Sequence, residues 1–168
     1  MKKAHVLLLD DEKEFVDVLK DRLELAGYTV TACYDIAQAL NQVQDEAYDV
    51  AIIDLIMPET DGITAMHRIK IIRPLMECIV LSGQGTLKLA VESMKQGAFD
   101  FLEKPCDHQV VTQIIDEACA RKREQDHRIR RAANKVYARL ERAMTGAAFA
   151  EAGQFDYAQE VLRKKDKE

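Results

Sequence analysis

A short apolar run, Val6-Leu7-Leu8-Leu9, ends in three consecutive acids, Asp10-Asp11-Glu12. Crowded carboxylates repel, and each raises the pKa of the next unless a cation neutralises them. Helix capping explains one acid at such a place. It does not explain a set that continues elsewhere in the chain. Asp54 ends a second apolar run in VAIIDLIMPETDG, Ser82-Gly83 ends a third, and Lys104-Pro105 follows a fourth. Oxygen ligands on a partly open rim suit Mg²⁺, which binds one or two carboxylates together with a phosphate and keeps several waters. Such an ion holds the acids ionised at neutral pH. Asp54, the lone carboxylate of its run, is then a candidate nucleophile toward a phosphoryl group, which it would carry as an acyl phosphate. The metal, Lys104 and the Ser82 hydroxyl would clamp the phosphoryl oxygens.

This chemistry requires that distant segments end at one edge. Strand-like runs occur at Val6–Leu9, Thr29–Cys33, Val50–Ile53, Cys78–Leu81 and Phe99–Leu102. Between them, Phe15, Val18, Leu19, Arg22, Leu23 and Ala26 follow helical spacing and stop at Gly27. Ile36–Val43, Ile63–Ile72 and Leu87–Lys95 read the same way, the last stopping at Gly97. Alternating elements with near-continuous Val/Ile/Leu strands predict an α/β domain, a doubly wound five-stranded parallel sheet covered on both faces. Ligands of such sheets bind outside the carboxyl ends of the strands. Asp10, Asp11, Asp54, Ser82 and Lys104 all fall at those ends.

The stretches LLLDDE, VAIIDLIMPETDG, VLSGQG and GAFDFLEKP, in this order, resemble the receiver domain of bacterial two-component response regulators. GAFDFLEKP is similar to receivers of the nitrogen-regulator class. The resemblance covers about residues 4–119 and implies a flavodoxin-like strand order of 2-1-3-4-5. It implies that Asp54 is the phosphoacceptor and that Asp11 binds Mg²⁺ directly. Asp10 would bind directly or through water, and the Ile56 backbone carbonyl would complete the protein ligands. Lys104 would pair with the phosphoryl group, through a cis bond to Pro105. Ser82 stands where threonine is commoner, and Phe101 occupies a switch position that either rotates inward on phosphorylation or is simply a core strand residue. As phenylalanine it offers packing but no hydroxyl. Ile56 and Gln84 flank the site without an obvious water-activating base, so a long-lived phosphoryl state is expected. The implied partners are a sensor histidine kinase or phosphotransfer protein, and a second copy through the fourth helix, fifth strand and fifth helix or through the C-terminal helix. The resemblance implies a regulator rather than an enzyme with an external substrate, catalysing only its own phosphorylation and slow dephosphorylation.

Other residues carry weaker signals. Cys33, Cys78, Cys106 and Cys119 form no Cys-x-x-Cys pair, and His5, His67, His108 and His127 show no ligand spacing. Gly83-Gln84-Gly85 lacks the further residues of a nucleotide loop. No apolar run has membrane-spanning length and no signal-peptide core follows Met1-Lys2-Lys3, so a cytoplasmic protein with reduced thiols is expected.

The net charge of −5 is unevenly distributed: residues 1–119 sum to −10 and residues 120–168 to +5. A receiver over 1–120 would be followed by an extension of the fifth helix over 121–145. That helix, from about 107, would span roughly 58 Å at 1.5 Å per residue. Ile129, Ala133, Val136, Leu140, Ala143 and Met144 form its apolar stripe, which favours pairing with another helix. After Gly146, residues 146–168 read as a small helical hairpin with Phe149, Phe155, Ala158 and Leu162 inside, weakly similar to part of a tetratricopeptide repeat. Nine Lys/Arg between 121 and 142 raise the alternative of a small DNA- or RNA-binding transcriptional regulator. Interrupting acids, scarce aromatics and no helix-turn-helix pattern favour a downstream protein partner instead.

Overall fold

The computed structural model describes residues 3–58 and 60–151, with side chains through Thr145 in the last helix. Five strands, β1 (His5–Leu9), β2 (Thr29–Cys33), β3 (Val50–Asp54), β4 (Glu77–Ser82) and β5 (Asp100–Glu103), form one parallel sheet in the order β2-β1-β3-β4-β5. Five helices follow them in turn: α1 (Lys13–Leu25), α2 (Ile36–Asp45), α3 (Gly62–Ile72), α4 (Leu87–Lys95) and α5 (His108–Glu151). This is the predicted doubly wound topology.

The apolar runs are continuous because both faces of the sheet are buried, and strand periodicity divides them. Val6 and Leu8 of β1 join Val50 and Ile52 of β3 beneath α1 and the first turns of α5. Leu7 and Leu9 join Ala51 and Ile53 against α2 and α3. α1 buries Leu19 and Leu23 of its predicted stripe together with Val16, while Val18 is half exposed, and α5 buries Val111, Ile114, Ile115 and Ala118. Tyr28 ties α5 to the α1–β2 turn, its hydroxyl donating to Asp116 Oδ1 at 2.7 Å.

Local chemistry sets the helix limits. Asp35, Asp61 and Thr86 cap α2, α3 and α4 by accepting the backbone N–H three residues on. Gly27 and Gly97, at φ of 94° and 98°, supply the left-handed residue after α1 and α4.

Two strands depart from the apolar runs. β4 extends one residue further at each end, its first residue Glu77 pairing with Val50 of β3, and β5 starts at Asp100, where pairing with β4 runs from Ile79↔Asp100 to Ser82↔Glu103. Glu77 is tolerated in a buried strand because Arg121 of α5 grips it twice, at 2.7 and 3.1 Å. Beside this pair, Lys122 reaches the Tyr48 carbonyl at 2.7 Å and Asp49 at 2.9 Å.

Helix α5 continues through Gly146 to Glu151 rather than ending there. A helical glycine costs about 1 kcal/mol and need not terminate the element. Phe155, Ala158 and Leu162, assigned to the hairpin interior, lie outside the described residues, as does the side chain of Phe149. The chain forms two compact units, Met1–Glu124 and Gln125–Glu168.

Gly62 is required where α3 starts, since a Cβ there would lie 2.2 Å from the Asp54 carbonyl oxygen and 2.8 Å from the Leu55 Cα. Both obstacles are backbone and cannot rotate away. Gly62→Ala is expected to destabilise the chain by about 2 kcal/mol, the ordinary cost of overpacking, read as a lower midpoint in urea. An unchanged midpoint would mean that the β3–α3 connection is slack.

Candidate functional site

Parallel strands deliver their carboxyl ends to one edge, and backbone bonds hold those ends in place. Asp10 N–H donates to the Cys33 carbonyl at 3.1 Å, Leu55 N–H to Leu81 at 2.8 Å, and Lys104 N–H to Ser82 at 2.8 Å. Asp10 follows β1, Asp54 is the last residue of β3, Ser82 the last of β4, and Lys104 follows β5 through a cis bond to Pro105.

Lys104 unites the acids. Its Nζ lies 2.6 Å from Asp10 Oδ2, 3.0 Å from Asp54 Oδ1 and 3.1 Å from Glu12 Oε1. It also stands 4.3 Å from the centre of the Phe15 ring, within cation–π range. The remaining oxygens of both buried acids accept from backbone: Asp10 Oδ1 from Glu12 N–H at 2.9 Å, Asp54 Oδ2 from Ile56 N–H at 3.1 Å. Asp10 is therefore a fully buried, fully satisfied carboxylate rather than a helix cap.

Burial raises the pKa of Asp54, against the lowering pull of Lys104 and Ile56 N–H, and the Asp11 charge raises it further. Burial likewise raises Asp10, against the pull of Lys104 and the Glu12 N–H. Burial pulls Lys104 down, but its bonds to Asp10, Asp54 and Glu12 outweigh this and hold it above the usual lysine value.

Asp10, Asp11 and Asp54 each present an oxygen within 4.8 Å of the others'. This all-oxygen donor set at an accessible rim fits a small hard dication such as Mg²⁺. Lys104 alone supplies one positive charge to the carboxylates it contacts, leaving them short of neutrality. An open cleft of about 450 Å³ adjoins Asp11, walled by Tyr34, Ile36, Met57 and Pro58.

The structure thus joins four of the predicted residues, Asp10, Asp11, Asp54 and Lys104. The Ser82 hydroxyl is engaged with its own loop, accepting from Gln84 N–H at 3.1 Å and donating to the Gln84 carbonyl at 3.3 Å. Phe101 is half-buried against the apolar cluster on the α2–α4 side of the sheet. Ile56 is half exposed on the β3–α3 loop. Glu12 and Phe15 were not singled out by sequence reasoning as partners of Lys104. Glu12 resembled a first-turn acid and Phe15 a core position, and no local pattern joins them to a lysine about 90 residues on.

The sequence profile of the response regulator receiver domain matches residues 6–116. The transcriptional regulatory protein GlrR of Escherichia coli is 38% identical over 117 residues, which are 70% of this chain and 26% of GlrR. The chain therefore spans about a quarter of that relative's length. A response regulator receiver domain from Clostridium thermocellum superposes with a TM-score of 0.69 at 34% identity, covering 73% of this chain and 99% of that one. The beryllofluoride-activated NtrC4 receiver domain dimer gives 0.67 at 31% identity, again over 73% and 99%.

The raised pKa values of Asp54 and Asp10 mean that the folded chain holds these protons more tightly than the unfolded chain. That favours folding below the ordinary carboxylate value of 3.8 and is lost as pH rises through the folded values. Asp54→Asn is accordingly expected to melt higher than the unchanged protein at neutral pH in metal-free buffer, with the gap closing as pH falls toward 3.8. Thermal melts across this range check it. A lower-melting Asn variant would show that the Lys104 bond to Asp54 outweighs the cost of burying the charge.

Proposed function

This chain belongs to the response regulator receiver domain family of two-component systems, and from that premise we propose that it is a phosphoacceptor regulator working through Asp54. The observation that carries the reading is the Lys104 ammonium 3.0 Å from the Asp54 carboxylate, beside the oxygen cluster of Asp10 and Asp11. This is the arrangement a carboxylate nucleophile needs at a phosphoryl group.

An Asp54 oxygen attacks phosphorus, and the bond from phosphorus to the donor breaks. In a phosphohistidine donor that bond is P–N, and the electron pair leaves with the imidazole. In a small acyl phosphate it is P–O, and the pair leaves with the carboxylate. The product is an acyl phosphate on Asp54, returned to carboxylate when water takes the phosphoryl group. Ile56 N–H orients the carboxylate before attack. Lys104 reaches Asp54 already and needs little movement to meet the incoming oxygens. The cleft beside Asp11 leaves the donor an approach from solvent. Mg²⁺, which Asp10, Asp11, Asp54 and the Ile56 carbonyl would hold, supplies the charge that neutralises the transferring oxygens when bound. Neither Ile56 nor Gln84 carries a base able to activate water, which favours a long-lived phosphoryl state.

Ser82 is the group that would respond. Its hydroxyl would exchange the Gln84 backbone for a phosphoryl oxygen, and Phe101 would rotate into the space left behind. Without a phenolic hydroxyl, the inward Phe101 gains packing alone. The receiver occupies residues 1–120 in this reading, and the helical remainder serves output through protein contacts. Kinase or phosphotransfer protein on one side and a downstream protein on the other are the implied partners.

Intact mass after incubation with acetyl phosphate tests the proposal. One phosphoryl adduct is expected with Mg²⁺ and none without it. The adduct is absent in Asp54→Ala and forms roughly a hundredfold more slowly in Lys104→Met, the scale of losing one transition-state charge contact. An adduct that persists in Asp54→Ala would place the chemistry on another residue. No adduct despite bound Mg²⁺ would make the domain a docking module without phosphotransfer.

A further inference from the structure

Lys104 has two kinds of partner. Asp10 and Asp54 are buried acids that a cation would also claim. Glu12 lies outside the group whose oxygens gather within 4.8 Å, which is Asp10, Asp11 and Asp54. It is the N-cap residue of α1, where a short polar side chain ordinarily bonds the helix start, yet its carboxylate makes no cap bond. The carboxylate turns instead to the Lys104 Nζ at 3.1 Å. The Glu12 backbone is fixed on both sides: its N–H donates to Asp10 Oδ1 at 2.9 Å, and its carbonyl accepts from Val16 N–H at 3.0 Å. Phe15 stands three residues on, on the same face of the helix, and packs on the core. Its ring centre is 4.3 Å from the same Nζ. The Lys104 side chain is 10% exposed, and three carboxylates match its three ammonium protons.

We propose that Glu12 and Phe15 are positioning residues, a seat that keeps the Lys104 ammonium beside Asp54 once a dication occupies the acid cluster. This inference rests on the phosphoacceptor reading of Asp54. While Asp10 and Asp54 hold the ammonium at 2.6 and 3.0 Å, the seat adds little. Those same carboxylates are what a dication would take, and its charge repels the ammonium. Lysine's stem is flexible, and an ammonium released from the acids would swing into water. Phosphoryl transfer needs it in place, to meet the oxygens arriving at Asp54. Among its described partners, the Glu12 charge and the Phe15 ring are the ones that the cluster's metal leaves uncommitted. Both belong to the start of one helix that is bonded to Asp10, so the seat keeps its place relative to the acids. The aromatic face suits this purpose because it attracts an ammonium without competing as a metal ligand. Neither residue touches the reacting atoms. Both act through Lys104.

Two readouts on the full chain test the seat. The first is the rate of adduct formation from acetyl phosphate at saturating Mg²⁺. Glu12→Gln and Phe15→Leu are each expected to slow it about threefold, the scale of one exposed ion pair or cation–π contact. Together they slow it about tenfold. The Mg²⁺ concentration giving half the maximal rate is expected to move less than about twofold, since neither residue holds the ion. In Lys104→Met, neither substitution is expected to slow the adduct further, because both act through the ammonium. The second readout is the ¹⁵N signal of the Lys104 ammonium, assigned by its loss in Lys104→Met. It is expected to survive Mg²⁺ saturation in the unmodified chain and to be lost to water exchange in Glu12→Gln/Phe15→Leu. Equal slowing with or without Lys104, a rate loss that extra Mg²⁺ restores, or faster adduct formation in Glu12→Gln overturns the proposal. So does an ammonium signal that Mg²⁺ abolishes in the unmodified chain or spares in the double variant. No adduct at all on the unmodified chain would instead refute the phosphoacceptor reading, and the ammonium signal would still decide whether the seat holds.

Discussion

One ammonium group makes this sheet edge possible. Lys104 is bonded at once to Asp10 and Asp54, two carboxylates that burial would otherwise penalise by several kcal/mol each. Glu12 and the Phe15 ring hold the same ammonium from the α1 side. The site is thus balanced short of neutrality, with compensation sufficient for folding and insufficient to quench the acids. In the proposed reading, that residual imbalance would make the pocket receptive to a cation and leave Asp54 available as a nucleophile.

The opposite edge of the same sheet is built on the same principle with the signs distributed differently. Glu77 opens β4 in the interior and is met by the Arg121 guanidinium, while Asp49 is met by Lys122. Here the charges are matched, and the result is anchorage. The first turns of α5 are pinned to the strand ends by these pairs, by Tyr28 and by the apolar residues Val111, Ile114, Ile115 and Ala118. β4 therefore joins an open, reactive end at Ser82 to a closed, structural end at Glu77.

The distinction between receiver and extension is one of burial. Before residue 120, α5 has a buried apolar face and a hydrophilic outer one. Beyond Gln125, the large apolar residues Ile129, Val136 and Leu140 of its stripe are exposed.

Much of the fold was written in periodicity. Continuous apolar runs of four or five residues, separated by helical stripes that stop at Gly27 and Gly97, point to a parallel sheet because each intervening helix carries the chain back across and covers a face. The positions of Asp10, Asp11, Asp54, Ser82 and Lys104 at strand ends were equally legible, since a parallel sheet sends all such ends to one side. Other features were decided by tertiary structure. β4 and β5 begin at acids, Glu77 and Asp100, that composition alone would exclude. Register and a cation 44 residues away from Glu77 make them acceptable. The parts played by Glu12 and Phe15 were hidden because their partner is remote in sequence. The Ser82 hydroxyl turns to Gln84 rather than to the acids, a choice set by loop geometry. Sequence by itself determined which residues must meet, because periodicity is a local property. Only the folded chain decided which charges compensate which, because that depends on distances between segments that local patterns do not encode.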